Sequence, residues 1–268
     1  MGTECHRRRY SSFVTNEKTS IERLRSYNLA AGCLHLLQAI LILILANSFA
    51  LPVRAAYMTG PPSLHVGHQT VTLFHVNFAW FIAAFFSLSA VAHLFIVGPG
   101  WNGYQRELRK ERNPYRWIEY SVSSSLMIVL IALLTGISDV AALVALAGVN
   151  GSMIGFGWIQ ERYERADAGL GPFWIGCLAG SVPWIAIAIY LAGPGASQHA
   201  PGFVYGIFFS LFFFFNCFAV NQWLQYKQIG KWKQYLFGER VYVTLSLVAK
   251  SLLAWQIFAS TLASSVAH

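Results

Sequence analysis

A lysine and a glutamate occupy places in this sequence where a charged side chain is costly. Lys250 lies near the middle of the apolar stretch VYVTLSLVAKSLLAWQIFAS, residues 241–260, and Glu119 lies within YRWIEYSVSSSLMIVL. A lysine at the centre of a membrane helix costs about 2.5–3.5 kcal/mol on insertion scales, so it calls for a partner or a function. An amine can pair with a carboxylate, and it can also bind an aldehyde covalently as a Schiff base.

The composition predicts that both residues belong to membrane helices. The 268 residues are 56% hydrophobic and 11% charged, with a mean hydropathy of +0.48, whereas a soluble domain is about 25% charged. Seven apolar runs reach the roughly 20 residues that cross a bilayer. They are predicted at 26–50, 71–97, 115–137, 140–161, 172–192, 203–226 and 241–263. The expected fold is an all-α membrane protein, a bundle of seven transmembrane helices.

The spans divide the chain into three parts. A hydrophilic tail, 1–25, precedes the bundle, 26–263, and a short end, 264–268, follows it. The longest connection after the first span, residues 51–69, contains glycine and proline and leaves open whether it holds a hairpin. Pro183 within the fifth span predicts a kink.

The basic residues predict the orientation of the bundle. Of the 19 Lys and Arg, 17 lie before the first span or after the second, fourth and sixth, with their flanks, and Arg54 alone lies on the opposite side. By the positive-inside rule the N-terminus is cytoplasmic and the C-terminus extracellular, in a multi-pass protein of the cell membrane. This asymmetry accounts for the net charge of +8. It favours contact with anionic lipids at the cytoplasmic face, and no nucleic-acid partner is expected.

Glu119 is the expected partner of Lys250. Every other acidic residue is expected in a tail, in a loop or at the end of a span. A structural role is the alternative, in which Glu119 pairs with Arg116 and Lys250 only holds two helices together. An ionisable residue at this depth favours a functional role, and a carboxylate beside a Schiff base would keep it protonated. Bulky aromatic residues of the third to seventh spans can enclose a flat apolar molecule: Trp117, Trp174, Phe214, Phe215 and Trp255.

Two segments together carry a resemblance to a known family. RWIEYSVSSSLMI around Glu119 and SLVAKSLLAWQ around Lys250 resemble the heliorhodopsins, seven-helix retinal proteins distantly related to the type-1 microbial rhodopsins. The resemblance covers all seven spans, and the family's cytoplasmic N-terminus agrees with the charge asymmetry. It implies a rhodopsin-like bundle that binds all-trans retinal, isomerises it to 13-cis in light and turns over slowly. Lys250 is then the retinal lysine and Glu119 the counterion.

Helical spacing and the resemblance add further candidate retinal contacts. Ser246 precedes Lys250 by four residues, so both lie on one helix face, at a position where proton-pumping rhodopsins commonly have an aspartate. Ser123 and Met127 continue the face of Glu119. The family also implies that a serine at the position of Ser89 comes near the Schiff base and that the pocket includes Asn150, Trp174 and Phe215. Each serine taken alone is more often a helix-packing residue than a retinal contact.

Two histidines are predicted to share the cytoplasmic leaflet with Glu119. His35 lies in the cytoplasmic half of the first span and His93 near the cytoplasmic end of the second. Histidine is a natural proton carrier, so both are candidates for a proton-accepting polar cluster; a helix-contact role is the alternative. No metal site is predicted, because two histidines lack a third ligand. No role is assigned to the outer histidines His65, His68 and His75.

The predicted function is light sensing without net ion transport. The outer half of the bundle has no carboxylate until Asp139, and the position eleven residues after Glu119, where pumps often place a proton donor, is Leu130. We therefore expect a non-enzymatic photoreceptor that signals to an unknown cytoplasmic partner through its loops or N-terminal tail. A light-driven proton transporter that uses the histidines is one alternative, and a retinal-free transporter or scaffold is another.

The resemblance also implies a homodimer, since the family forms dimers. Gly148, Gly151 and Gly155 in the fourth span form a series of small residues that favours close helix packing, within the bundle or between two copies. The sequence does not locate the interface.

Overall fold

The computed structural model describes the backbone of residues 2–61, 67–163 and 169–266, and the side chains of residues 19–61, 67–163 and 169–260. His65, the basic side chains before residue 19 and part of the predicted extracellular end lie outside these residues. The elements in chain order are α1 (Gly2–Ile44), β1 (Ala50–Met58), β2 (His68–Asn77), α2 (Phe78–Val97), α3 (Trp101–Leu108), α4 (Pro114–Leu134), α5 (Val140–Tyr163), α6 (Gly171–Ala192), α7 (Gly202–Tyr226), a 3-10 turn (Gly230–Lys233) and α8 (Tyr235–Val266).

Among the described residues, seven helices are long and apolar enough to cross a membrane. They are α1 from Thr19 onward, α2, α4, α5, α6, α7 and the part of α8 that ends at Ser260. The eight-residue helix α3 is too short to span a bilayer and joins α2 to α4. The predicted bundle of seven membrane helices is confirmed, while the cytoplasmic position of the N-terminus remains a prediction.

The seven helices pack side by side in a closed ring. Each contacts the next in the order α1, α2, α4, α5, α6, α7 and α8, and α8 returns to α1. Large apolar side chains cover the outside of the ring, for example Leu178, Val144 and Phe209, which are 71%, 67% and 64% exposed. A continuous core of side chains such as Phe85, Ile128 and Leu253 fills the inside. Apolar residues on both faces are what a helix between lipid and a protein core requires.

The connection between α1 and α2 folds into an antiparallel hairpin. Ala50 pairs with Asn77 and Met58 with His68, with one irregularity after Val53. The predicted second span, 71–97, was therefore too long at its start, since residues 71–77 form a strand. Their sequence, VTLFHVN, is rich in β-branched and aromatic residues, which favour a strand when a partner strand is available.

Polar residues fix where the helices begin and end. Asn77 caps α2, its side-chain oxygen accepting a hydrogen bond from the backbone N–H of Trp80 at 3.3 Å. Asn113 caps α4 in the same way at Arg116, 3.1 Å, with Pro114 in the first turn. The predicted first span, 26–50, extended too far, because α1 ends at Ile44 and Ala50 already pairs in the sheet.

The helix α8 begins six residues before the predicted seventh span. The predicted span starts at residue 241, directly after Glu239 and Arg240. The structure extends the helix back to Tyr235 and buries Glu239, which is 1% exposed. A charged residue inside a helix end is tolerated when it is paired, and Glu239 pairs with Arg116.

We call the two ends of the bundle the hairpin end, which carries β1 and β2, and the α3 end, which carries α3 and the 3-10 turn. The hairpin end is anchored by the backbone N–H of Arg54, which donates to the carbonyl of Ser138 at 2.8 Å. The site residues described next lie inside the ring.

Candidate functional site

Lys250 on α8 and Glu119 on α4 form a buried ion pair. The Lys250 amine donates to Glu119 Oε1 at 2.7 Å and to the hydroxyl of Ser246, one helical turn earlier, at 2.9 Å. The side chains of Lys250 and Glu119 are 3% and 7% exposed. The structural alternative of a Glu119–Arg116 pair does not occur, because Arg116 pairs with other carboxylates.

A second helix also holds the carboxylate. The hydroxyl of Ser89 on α2 donates to Glu119 Oε1 at 2.6 Å. That hydroxyl is completely buried. The negative charge of Glu119 is thus stabilised by one ammonium group and one hydroxyl, and three helices, α2, α4 and α8, meet at this carboxylate.

An apolar cavity of about 110 Å³ begins at Lys250 and Ser246 and lies between α4, α5, α6, α7 and α8. Aromatic rings and sulfur-containing side chains form about half of its wall: Trp117, Tyr120, Met127, Met153, Phe173, Cys177, Phe215, Phe218 and Tyr242. The hydroxyl of Ser123 also lies in the wall and has no hydrogen-bond partner among the described residues. A largely apolar cavity with an amine at one end suits a flat hydrophobic aldehyde.

The sequence-predicted contacts divide into two groups. Ser246, Ser123, Met127 and Phe215 line the cavity. Trp174 does not line it and is 59% exposed on the outside of the ring.

The residue before Trp174 takes the inward position. Phe173 is buried and lines the cavity, because neighbouring residues of a helix point about 100° apart. Asn150 is buried but does not touch the cavity; its side-chain amide donates to the hydroxyls of Ser124 and Ser125 at 2.7 and 3.1 Å. Ser124 is itself in the cavity wall, so Asn150 supports the site indirectly.

The two predicted histidines stack on each other. The rings of His35 and His93 lie 5.6 Å apart with an interplanar angle of 14°. His93 Nδ1 forms a hydrogen bond of 2.8 Å with Asn28 Oδ1. His35 is fully buried, and neither ring nitrogen has a partner among the described side chains and backbone groups.

A second cavity of about 30 Å³ lies on the α3 side of Glu119, and we call it the polar cavity because charged and hydrogen-bonding side chains contribute to its wall. His93, Glu119, Arg116 and Glu239 all contribute to its wall. A cavity needs about 10–15 Å³ to hold one water molecule, and the water needs polar partners. The polar cavity is therefore large enough for water that connects Glu119 with the groups around Arg116.

Arg116 lies at the centre of a buried ion cluster that sequence reasoning missed. Its guanidinium pairs with Glu161 at 2.7 Å and with Glu239. It also lies over the ring of Tyr242, 3.8 Å from the ring centre. Glu119 is therefore not the only carboxylate inside the bundle, because Glu161, expected at a span end, and Glu239, expected in a loop, are both buried.

Sequence offered one signal for this cluster. Arg116, Glu161 and Glu239 each lie within a turn or two of a predicted span end, all at the same side of the bundle. Three such residues at one level can face inward and meet. Nothing in the helical spacing alone distinguishes this from three side chains that extend to water.

The neighbouring tyrosine Tyr104 belongs to α3, outside the spanning helices. Burial raises the pKa of its hydroxyl well above the ordinary value. Tyr104 therefore stays neutral, and its oxygen accepts a hydrogen bond of 3.4 Å from the side-chain amide of Asn28. A neutral hydroxyl here lets α3 close the polar region without adding charge.

The chain's fold is shared with microbial rhodopsins of low sequence identity. The transmembrane domain and linker region of the Salpingoeca rosetta rhodopsin phosphodiesterase has a TM-score of 0.66 at 10% identity, covering 97% of this chain and 85% of that chain. Exiguobacterium sibiricum rhodopsin has a TM-score of 0.61 at 18% identity, covering 90% of this chain and 97% of that chain. The light-driven proton pump LR (Mac) from Leptosphaeria maculans has a TM-score of 0.52 at 12% identity, with coverage of 88% and 93%. At these identities the likeness establishes the fold alone.

Sequence comparison identifies the family. No curated protein matches the chain. The model of the family described as Heliorhodopsin matches residues 24–262, which include the seven spans except the first five residues of the first one, and both members of the Lys250–Glu119 pair. This confirms the resemblance carried by the segments around those two residues. The chain belongs to the heliorhodopsin family and is a membrane-embedded retinal photoreceptor.

Proposed function

We propose that all-trans retinal is attached to Lys250 as a protonated Schiff base, with Glu119 as its counterion. The observation that carries this proposal is the Lys250 amine, 2.7 Å from Glu119 at the end of an apolar cavity. Lys250 is the only lysine within the seven spans. When bound, retinal supplies light absorption and isomerisation from the all-trans to the 13-cis form.

The side chains around Lys250 are suited to hold a positive charge there. Glu119 offsets the charge through its carboxylate, and opposite charge favours the protonated form of a nitrogen. Ser246 and Ser89 orient the pair through hydrogen bonds of 2.9 and 2.6 Å. Burial excludes bulk water, which strengthens the interaction between the two charges.

The walls of the apolar cavity are suited to orient a long flat molecule. Trp184 supports the cavity from behind, packing edge-on against Phe215 at 5.2 Å and against Phe212 at 5.4 Å. Ser123 offers a free hydroxyl within the wall. We propose Ser246, Ser123, Met127 and Phe215 as direct contacts, with Ser89 and Asn150 acting through Glu119 and Ser124.

The distribution of titratable groups supports light sensing without net ion transport. Within the bundle, Glu119 has His93, Arg116 and Glu239 on its α3 side. Towards the hairpin end the first carboxylate is Asp139, whose side chain caps the start of α5 through the backbone N–H groups of Ala141 and Ala142. A proton that leaves Lys250 therefore has acceptors on one side only, and we propose that it returns by the same route.

Several finer features belong to the same proposal. We propose that the α3 end faces the cytoplasm and that it signals to a cytoplasmic partner without enzymatic activity of its own. The asymmetry of basic residues supports this orientation. We also propose a homodimer, for which Gly148 and Gly155 offer open positions, since a Cβ atom at either would meet no described atom beyond its own stretch of helix within 4 Å.

Light-driven proton transport is the second candidate function. The polar cavity beside Glu119, with His93 in its wall, favours proton transport because it offers groups that can accept a proton. It requires a route out toward the hairpin end as well, where the core residue Leu130 is completely buried.

The experiment that tests the proposal is reconstitution with all-trans retinal. Purified wild-type protein should acquire a visible absorption band, and Lys250→Ala should remain colourless in excess retinal. Lys231→Ala, which removes an exposed lysine of the 3-10 turn, is the matched control and should form the wild-type band. A visible band in Lys250→Ala would contradict the assignment.

A further inference from the structure

The buried charges of the described residues do not balance. The buried charged side chains are two cations, Arg116 and Lys250, and three carboxylates, Glu119, Glu161 and Glu239. Glu119 is matched by Lys250, so Arg116 alone faces two carboxylates. An uncompensated buried charge is so costly that the group usually changes its protonation state. The ion cluster therefore has a place for one proton.

The hydrogen bonds distinguish the two carboxylates of the cluster. Glu161 accepts four hydrogen bonds: from the Arg116 guanidinium at 2.7 Å, the Trp117 indole at 2.6 Å, the Asn113 backbone N–H at 2.8 Å and the Tyr235 hydroxyl at 3.0 Å. Glu239 accepts from Arg116 and from the Asn113 side-chain amide at 2.6 Å. Donated hydrogen bonds stabilise the ionised form of a carboxyl group. Glu161 is thus the better-stabilised carboxylate, and Glu239 is the better place for the proton.

Glu239 also reaches the cavity beside the proposed counterion Glu119. It lies in the wall of the polar cavity together with Glu119 and His93. That cavity of about 30 Å³ is large enough for a water molecule. Glu161 is not part of this wall and instead contributes to a wider cleft at the α3 end. A proton on Glu239 can therefore pass to water in the polar cavity.

The other groups that face Glu239 are less suited to hold the extra proton. Tyr104, Tyr235 and Tyr242 are neutral phenols, and a neutral phenol does not take up a proton at neutral pH. A proton on His35 would leave a buried imidazolium whose ring nitrogens have no partner among the described residues. His93 already has one partner, Asn28, so it is the main competing place for the proton.

We propose that Glu239 carries a proton at neutral pH in the dark, and that this carboxyl group is the proton reserve of the polar cavity beside Glu119. The proton resides on a carboxyl oxygen of Glu239 and can pass to cavity water and on to His93 or Glu119. Its response to light rests on the proposed function, whereas its presence in the dark does not.

The dark part of the proposal can be tested on retinal-free protein. Infrared spectra in H₂O and D₂O should show the carbonyl stretch of a protonated carboxyl group, and Glu239→Gln should remove it. Glutamine resembles a protonated glutamate in shape and charge, so the melting temperature of Glu239→Gln should stay close to that of the wild type. Glu161→Gln should lower it by several degrees, because four donors lose an ionised acceptor.

Glu22→Gln, at an exposed position of α1, should change neither the infrared band nor the melting temperature. A wild-type spectrum without the band, or a band that persists in Glu239→Gln, would overturn the proposal, the latter placing the proton on another group. A destabilised Glu239→Gln beside a stable Glu161→Gln would place the proton on Glu161 instead.

The light-dependent part needs protein reconstituted with retinal. A flash should produce an infrared difference signal at the frequency that Glu239→Gln removes, as the hydrogen bonding in the polar cavity changes. A visible band with a normal photocycle but no such signal would overturn the reserve role of Glu239. Absence of any visible band would contradict the proposed function and leave the dark protonation of Glu239 standing.

Discussion

At the residue scale, each buried charge of the described bundle has a partner on another helix. Lys250 on α8 meets Glu119 on α4, and Arg116 on α4 meets Glu161 on α5 and Glu239 on α8. Removing one partner of a buried pair typically costs about 3–5 kcal/mol, because the other charge remains buried and uncompensated. The Lys250–Glu119 and Arg116–Glu161 pairs therefore tie the helices together whether or not a chromophore is bound.

Glu119→Gln should change the colour and the acid–base behaviour of the retinal-bound protein. Without the carboxylate, the protonated Schiff base should lose its proton at a lower pH than in the wild type. The remaining protonated form should absorb further to the red, because a nearby anion localises the positive charge in the dark state. Visible spectra across a pH titration measure both effects.

Ser89→Ala is the matched control for this prediction. It removes the hydroxyl that donates to Glu119 Oε1 at 2.6 Å but leaves the carboxylate in place. The spectrum of Ser89→Ala should therefore shift less than that of Glu119→Gln. An unchanged band and titration in Glu119→Gln would mean that another group is the counterion.

The stacked histidines lead to a separate prediction. His93→Ala removes a titratable ring from the wall of the polar cavity. It should therefore change the lifetime or the yield of the photocycle intermediate in which the Schiff base is deprotonated, while the visible band of the dark state still forms. Flash photolysis at the wavelength of the deprotonated form measures this. His75→Ala on β2, at the hairpin end, should leave the kinetics unchanged. Equal kinetics in wild type and His93→Ala would give this residue a packing role only.

Sequence reasoning paired Lys250 with Glu119 but missed the Arg116 cluster, for a physical reason. A lysine in the middle of an apolar run has no explanation except a partner or a function, so its position alone is informative. Glu161 and Glu239 lie near span ends, where charges ordinarily reach water. Only the three-dimensional arrangement shows that both carboxylates are buried and meet Arg116.

At the element scale, the chain uses polar caps to separate the hairpin from α2. Asn77 ends β2 and begins α2: its side-chain oxygen accepts from Trp80, and its amide donates to the carbonyl of Asn47 at 3.1 Å. The apolar run that starts at residue 71 gave no reason to divide strand from helix. Strand pairing decided it, and pairing depends on residues 50–58, which periodicity alone did not identify as a strand.

Asn77→Ala should destabilise the protein by about 1 kcal/mol, the usual cost of losing a helix cap. The loss comes from the unpaired N–H group in the first turn of α2 and from the lost contact with Asn47. Thermal unfolding in a fixed detergent measures it. Asn216→Ala is the matched control, because that exposed side chain only donates to Phe212 within its own helix. An equal melting temperature for Asn77→Ala and the wild type would show that the cap does not hold this junction.

At the scale of the whole molecule, the distribution of basic residues, and not the fold, predicts the orientation of the bundle in the membrane. The ring of helices would pack equally well with either end facing the cytoplasm. The excess of Lys and Arg at the α3 end favours a cytoplasmic position for that end. An impermeant thiol label on intact cells should therefore react with Tyr57→Cys in the hairpin and not with Lys231→Cys, both in a cysteine-free background. Labelling in the reverse pattern would overturn the predicted topology.

The absence of net transport is a prediction about the whole molecule, since transport needs proton routes to both faces. On the α3 side, the polar cavity with Glu119, His93 and Glu239 offers acceptors. On the hairpin side, the route meets the buried core residue Leu130 and then Asp139, whose carboxylate is occupied as a helix cap.

Cells that express the protein should therefore show no sustained pH change when they are illuminated in weakly buffered medium, although the purified protein completes its photocycle. Cells that express Lys250→Ala give the light-independent baseline. A sustained pH change in wild-type cells that a protonophore abolishes would establish the transporter alternative, and it would require a proton route through the hairpin half of the bundle.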